Sequence, residues 1–455
     1  MTTTKKQGKT GGDTMSAEII ARVLVAVLGS GIIAMLISRR YNISYVPLFI
    51  IAGMILGPVA TLMPRSIAHE LFNYVRVFGL VMILFTEGHN LSWRLLRRNF
   101  PTIATLDTVG LLITALLSAW FFSFVFHAPF LIGFLFGAII SATDPATLIP
   151  LFRQYRVKQD IETTIVTESI FNDPLGIVLT AVAVAMLVPQ ASGGLFASLS
   201  SHLGVYGAAV VYFLYEVIVS ILIGVAVGTF GYWFIKKTRI FEFPEIEVFS
   251  LFLAFSGFIL GETLQASGYL VATVTGIILG NYKVFSRKEK PQILNKVMKA
   301  IEKEVHFNES LAAIATIFIF VLLGASLDLK PLVSNLWGGI LVAYFIMLIA
   351  RPIAALPILK WWDVKEYIFI ALEGPRGVVP SALAALPLSL ALKYRSATLT
   401  TYWGEVILAV TVITVLASVI TETLWVPFLK ERLLEHETVE DRMKKYHEKK
   451  RARAS

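Results

Sequence analysis

The 455-residue chain contains no cysteine. That excludes disulfides, thiolate catalysis and cysteine-held metal centres. Charge is scarce as well: Asp, Glu, Lys and Arg make up 16%, against about 25% in a soluble protein. A set of soluble domains is therefore excluded. The net charge of +9 does not point to nucleic acid, because the basic residues fall in short segments between apolar runs. A removable leader is not expected either, since Met1 to Glu18 is polar and the apolar run after it is too long. What is abundant is hydrophobic side chain, at 56%, with mean hydropathy +0.73. The composition is that of an all-α polytopic membrane protein whose partners are membrane lipids.

Thirteen apolar spans are expected, with cores at 18–38, 45–63, 70–90, 102–126, 129–151, 161–188, 205–235, 245–263, 266–281, 309–328, 333–358, 366–392 and 402–428. If the loops alternate sides, 29 Lys and Arg lie on one side and 7 on the other. The asymmetry marks the basic side as cytoplasmic. It places the N-terminal tail 1–17 outside and the tail 429–455 inside a multi-pass cell membrane. The basic loop Lys283–Glu304 is expected to be a solvated helix near lipid headgroups. The tail from Glu431 is expected to be a helix that frays.

Polar side chains break the apolar pattern at three places. In the sixth span stand Glu168, Ser169, Asn172 and Asp173, followed by Pro174. A charge at the centre of a membrane helix costs about 2.5 kcal/mol or more, so it persists where it meets a partner, a wet cavity or an ion. Glu168 and Asn172 share one helix face, and Ser169 and Asp173 another. A carboxylate placed here is able to hold either a proton or a dehydrated cation. The fifth span carries Ser141-Ala142-Thr143-Asp144-Pro145, and the twelfth carries Glu373-Gly374-Pro375-Arg376-Gly377 with Pro380. Proline and the residue before it resist helix, so both spans are expected to be interrupted there. Freed carbonyls are then available to a cation, and Asp144 to an exposed helix N-terminus. Arg376 keeps its proton and needs a carboxylate; Glu168 is the first candidate and Glu373 the alternative. Scattered single charges, Arg22, Arg76, Asp107, Glu216, Glu262, Arg351, Glu405 and Glu422, are expected to pair across interfaces or lie near span ends. Of these, Asp107 and Arg351 are the deepest, and are candidates to line a pathway.

The interrupted spans, five and twelve, are seven apart, and an odd offset makes them antiparallel. Spans 1–6 and 8–13 then form two inverted six-span repeats. Paired interruptions at corresponding positions of two halves mark the substrate site of a transporter. An intramembrane aspartyl protease needs two facing aspartates, usually with a Gly-Xaa-Gly-Asp sequence, which is absent, so no enzyme is expected. A cation channel requires a pore loop or symmetric acid rings.

At these residues the chain resembles sodium/proton antiporters of the NhaP/NHE group, the first monovalent cation:proton antiporter family. The resemblance is carried by Thr143-Asp144-Pro145, Phe171-Asn172-Asp173-Pro174 and Gly374-Pro375-Arg376-Gly377. It is supported by Gly276, Gly280 and Asn281 in span nine and by Leu323-Gly324-Ala325-Ser326-Leu327 closing span ten. It implies a homodimer, with a core (about 102–188 and 333–428) moving against a scaffold (about 18–90 and 205–328). It implies discontinuous helices 5 and 12 crossing at mid-membrane. The transported ions would be Na+ or Li+ and H+, with no cofactor, exchanged one for one without net charge. Asp173 would carry cation or proton, with Ser169, Glu168 and the Thr143 carbonyl completing the shell. Asn172 would bridge Glu168 and Arg376, and Asp144 would offset the helix ends. Glu373 departs from the family pattern. Exchange of K+ or another cation for H+ is the nearest alternative, and a cation channel the alternative from a different class.

Overall fold

The computed structural model describes residues 17–41, 43–144, 149–238, 244–281 and 291–434. The expected N-terminal tail, Pro145 and the tail beyond Leu434 lie outside these residues. Among the described residues every regular element is a helix. In lipid, a helix is the open-ended element that satisfies its own backbone. Among the described residues nine helices are long and apolar enough to cross a membrane, and four shorter apolar helices accompany them.

The order begins with α1 (Ala17–Tyr41), α2 (Tyr45–Met54) with a π-turn at Ile55–Val59, and α3 (Arg65–Asn90). Next come α4 (Trp93–Thr105), a π-turn at Leu106–Gly110, α5 (Leu111–Phe126), α6 (Phe130–Ser141), α7 (Ile149–Gln154) and α8 (Gln159–Leu187). The chain continues as α9 (Leu195–Thr238), α10 (Glu245–Thr263), α11 (Gly268–Gly280) and α12 (Pro291–Ser326). It closes with α13 (Leu329–Ser334), α14 (Leu336–Phe345), a π-turn at Ile346–Ala350, α15 (Arg351–Ala355), α16 (Val364–Leu372), α17 (Val378–Ala384), α18 (Leu386–Tyr394) and α19 (Thr401–Leu434). Gly204, at φ +70°, breaks α9 near its start, so the long membrane stretch begins after it, as the hydropathy predicts. The described part of the basic loop is not a separate helix. From Pro291 it runs unbroken into the tenth apolar segment as α12.

Both expected interruptions are present: Ala142–Asp144 and Glu373–Gly377 are non-helical, each between two helical pieces. The inverted repeat is visible in finer detail too. The π-turns Leu106–Gly110 and Ile346–Ala350 fall in the fourth and eleventh apolar segments, again seven apart. Packing repeats the symmetry. Helix α2 lies on α12 and α3 lies on α11, segments two and ten, then nine and three. Both contacts are made by small residues that let backbones touch: Gly53 and Gly57 against Val321 and Ala325, and Gly276 and Gly280 against Phe85 and His89. Side chains such as Val25, Ile33, Phe124, Val210, Leu222 and Leu424 remain exposed on the outside. A belt of this size belongs against lipid tails.

Candidate functional site

The two interruptions meet. The Asp144 N–H donates to the carbonyl of Pro375 at 2.7 Å, joining the breaks directly. Helix α6 ends at Ser141, leaving carbonyls with no partner inside the helix, and α17 begins at Val378 with free N–H groups. Each break serves the other. Arg376 Nη1 donates to the carbonyls of Ser141 at 3.0 Å and Ala142 at 3.2 Å. Asp144 Oδ2 accepts from the Val378 N–H at 3.1 Å. A cation thus stands at a helix C-terminus and an anion at an N-terminus, both as the helix dipoles favour. A Cβ on Gly377 would collide with the Asp144 carboxylate, so this exchange of caps requires glycine there.

The sixth apolar segment, α8, passes beside this junction. It continues through Pro174, whose missing N–H frees a carbonyl one turn earlier. Ser169 Oγ donates to the Thr143 carbonyl, so two of the expected ligands are adjacent. Asp173 is 2% exposed, and its Oδ1 is enclosed with no hydrogen-bond partner. No ion pair engages it among the described residues. The groups within its electrostatic reach are Glu87, Asp144 and Asp107, all acids.

The partner assigned to Glu168 is corrected. Glu168 does not bind Arg376. Its Oε2 accepts from Arg351 Nη2 at 2.6 Å, with side chains 1% and 4% exposed. Arg376 makes no ion pair with Glu373 among the described residues either; both Glu373 oxygens are enclosed and unbonded. The expected bridge by Asn172 is half made: its Nδ2 donates to Glu168 Oε1 at 3.3 Å, while its Oδ1 has no partner. The reason is steric and electrostatic. Arg376 is consumed by the open end of α6, whereas Arg351, just after the π-turn Ile346–Ala350, extends toward α8. Asp107, on the π-turn Leu106–Gly110, lies within electrostatic reach of both Glu168 and Arg351. Glu422 accepts from the Gly374 N–H at 3.0 Å, and Ser418 Oγ from the Arg376 N–H at 3.0 Å. α19 thereby anchors the second break.

Glu87 was not singled out by the sequence. It lies one turn from the end of α3, where a charge reads as a span-end residue. Its Oε2 is enclosed without a partner, and with Tyr45, Asp144 and Glu309 it lines a cavity of about 150 Å³. A second cavity, of about 370 Å³, lies toward the C-terminal end of α8 and is lined by Ile177, Thr180 and Val184. Neither is lined by Asp173. The expected support residues Asn281 and Ser326 act locally. Asn281 accepts from the Trp93 N–H and donates to the Leu91 carbonyl, fastening the α3–α4 turn. Ser326 donates to the Leu323 carbonyl within α12.

A family model described as the transmembrane region of sodium/hydrogen exchangers matches residues 23–431. A probable Na+/H+ antiporter 2 of Methanocaldococcus jannaschii is 32% identical over 446 residues, covering 93% of this chain and 99% of that one. A K+/H+ antiporter, NhaP, of Alkalimonas amylolytica is 26% identical over 366 residues, covering 78% of this chain and 58% of its own. The structure of the sodium proton antiporter MjNhaP1 from M. jannaschii at pH 8 matches with a TM-score of 0.79 at 31% identity, over 92% of this chain and 99% of that one.

Proposed function

Because the chain belongs to the sodium/hydrogen exchanger family, we propose that it exchanges Na+ or Li+ for H+ across the membrane, with Asp173 holding one or the other in turn. The observation that carries this reading is the state of Asp173. It is buried, its Oδ1 has no hydrogen-bond partner, and among the described residues no ion pair engages it. A carboxylate in such a place needs either a proton or a metal cation. Binding one excludes the other, and that competition couples the two fluxes without a further device.

The cation shell would be Asp173, Ser169 and the Thr143 carbonyl, with Glu87 facing the site from α3. Oxygen ligands of this kind suit alkali cations. Asp144 and Arg376 hold the crossed breaks in register, and Glu168, Asn172 and Arg351 brace α8. Glu168 acts through Arg351 in this reading and does not contact the ion. One carboxylate exchanging one cation for one proton makes the cycle electroneutral. In the conformational step, the core of residues 102–188 and 333–428 would slide against the scaffold of 18–90 and 205–328, exposing Asp173 to each cavity in turn. The charge bias orients the 150 Å³ cavity toward the cytoplasm and the 370 Å³ cavity outward in a plasma membrane. The expected homodimer would pair across α1 and α9, the least covered of the long helices.

The test is proton movement in proteoliposomes, read by a pH-sensitive dye after adding Na+, Li+ or K+. Asp173→Asn should lose at least about 100-fold of wild-type exchange while remaining folded, the scale expected when an essential proton-transfer group is removed. Robust exchange by that variant would refute the mechanism. A second reading, K+/H+ exchange, is favoured by the A. amylolytica relative, and a faster response to K+ than to Na+ would establish it. Cation current without proton movement would indicate a channel instead.

A further inference from the structure

The larger cavity has two unlike walls. One, from α8, α17 and α18, is largely apolar: Ile177, Val184, Leu383, Leu386 and Leu390. The other comes from α3, α9, α10 and α11 and is polar, with Glu216, Glu262, Tyr212, Tyr269 and Arg76. Glu262 stands exposed, with Oε1 accepting from the Gly268 N–H at 3.1 Å. Glu216 is 3% exposed, and its Oε2 is enclosed without a hydrogen-bond partner. Glu216 and Glu262 are within electrostatic reach of each other. Arg76 lines the same cavity but forms no ion pair with either glutamate among the described residues; its electrostatic neighbour is Tyr269. A buried carboxylate in lipid without a counter-charge is costly and marks a place for a cation.

We propose that Glu216, with the Tyr212 hydroxyl and Glu262, holds a second monovalent cation in this cavity, on the approach to Asp173. The placement gives it a purpose. Ile177, Ala181 and Val184 follow Asp173 at helical spacing on one face of α8, and that face forms the opposing wall. When α8 slides along the polar wall, Asp173 moves toward Glu216. A cation held there meets the empty carboxylate at short range, without crossing the apolar stretch unaccompanied. The proposal rests on the reading of Asp173 as the exchange site. Hard carboxylate and hydroxyl oxygens suit an alkali cation, and the cavity has room for it to keep part of its water.

The experiment is equilibrium binding of ²²Na+, with ⁸⁶Rb+ in parallel as the larger ion, to purified full-length protein. Wild type should bind two cations, Asp173→Asn one, and Asp173→Asn with Glu216→Gln none. Tyr212→Phe and Glu262→Gln, in the Asp173→Asn background, should each weaken the retained binding at least threefold. Arg76→Gln, which removes the only basic side chain lining the cavity among the described residues, should tighten it. Thermal unfolding of each variant identifies any that fail to fold. If Asp173→Asn binds no cation, this site is overturned while the Asp173 reading stands. If binding in Asp173→Asn survives Glu216→Gln in a folded protein, the assignment to Glu216 is overturned. If Asp173→Asn exchanges ions as wild type does and its binding disappears with Glu216→Gln, the Asp173 reading fails and the second site holds.

Discussion

The Glu168–Arg351 pair gives the sharpest test of how the site is braced. At 2.6 Å, two unit charges attract by about 6 kcal/mol at an effective dielectric near 20. Removing both from water costs several kcal/mol per ion, so the net worth of the pair is far smaller. Removing one partner is a different event: it strands the other charge at 1–4% exposure and should cost about 3–5 kcal/mol. Arg351→Met and Glu168→Gln should each destabilise by that order, and the double variant by much less than the sum. The expected coupling is about 2–3 kcal/mol, at the upper end for residues in direct contact. The assay is a double-mutant cycle on unfolding in detergent, run in parallel for Glu168 with Arg376. Because Arg376 bonds carbonyls of Ser141 and Ala142, its coupling to Glu168 should be under about 1 kcal/mol, carried by distance-screened attraction alone. Equal or larger coupling to Arg376 would refute the assignment and restore the pairing expected from sequence.

Gly377→Ala should destabilise the protein by about 1–3 kcal/mol, because its methyl group forces the Asp144 carboxylate off the cap of α17. A thermal profile unchanged from wild type would contradict the reciprocal capping. If Ser169 and the Thr143 carbonyl it bonds belong to the proposed cation shell, Ser169→Ala should raise the KM for Na+ several-fold with little change in unfolding temperature; a large loss of stability with unaltered KM would make it purely structural. Competition also fixes a pH dependence. Where Asp173 is mostly protonated, each cation bound displaces one proton, so the apparent KM for cation should fall about tenfold per unit rise in pH. In that range the maximal rate stays constant; a KM indifferent to pH would exclude a shared site.

The helical segments were legible in sequence because lipid leaves the backbone little choice. An apolar run long enough to span must be helix, and a Thr-Asp-Pro or Gly-Pro-Arg-Gly inside it must break one. The polar cluster was legible for a related reason: Asp173 and Glu168 in such a run are too costly to be incidental. The hydrogen bond from Ser169 to Thr143 and the cap from Asp144 to Val378 followed from segments the sequence had already marked. Glu87 escaped notice because its position near a helix end gives a local pattern identical to that of a solvated charge. Glu216 and Glu262 were visible as charges, but nothing in their own helices shows that they share a cavity.

By itself the sequence determined that the chain is built of apolar helical spans, where two of them break, and that Glu168 and Asp173 stand inside a third. These are consequences of hydropathy and proline geometry, which act over a few residues. Only the tertiary structure decided which arginine meets Glu168. Arg351 and Arg376 are both permanently charged, both buried, and separated from Glu168 by 183 and 208 residues. Their local patterns carry no information to distinguish them. The choice is made in space, where the open end of α6 claims the guanidinium of Arg376 and leaves Arg351 to neutralise Glu168.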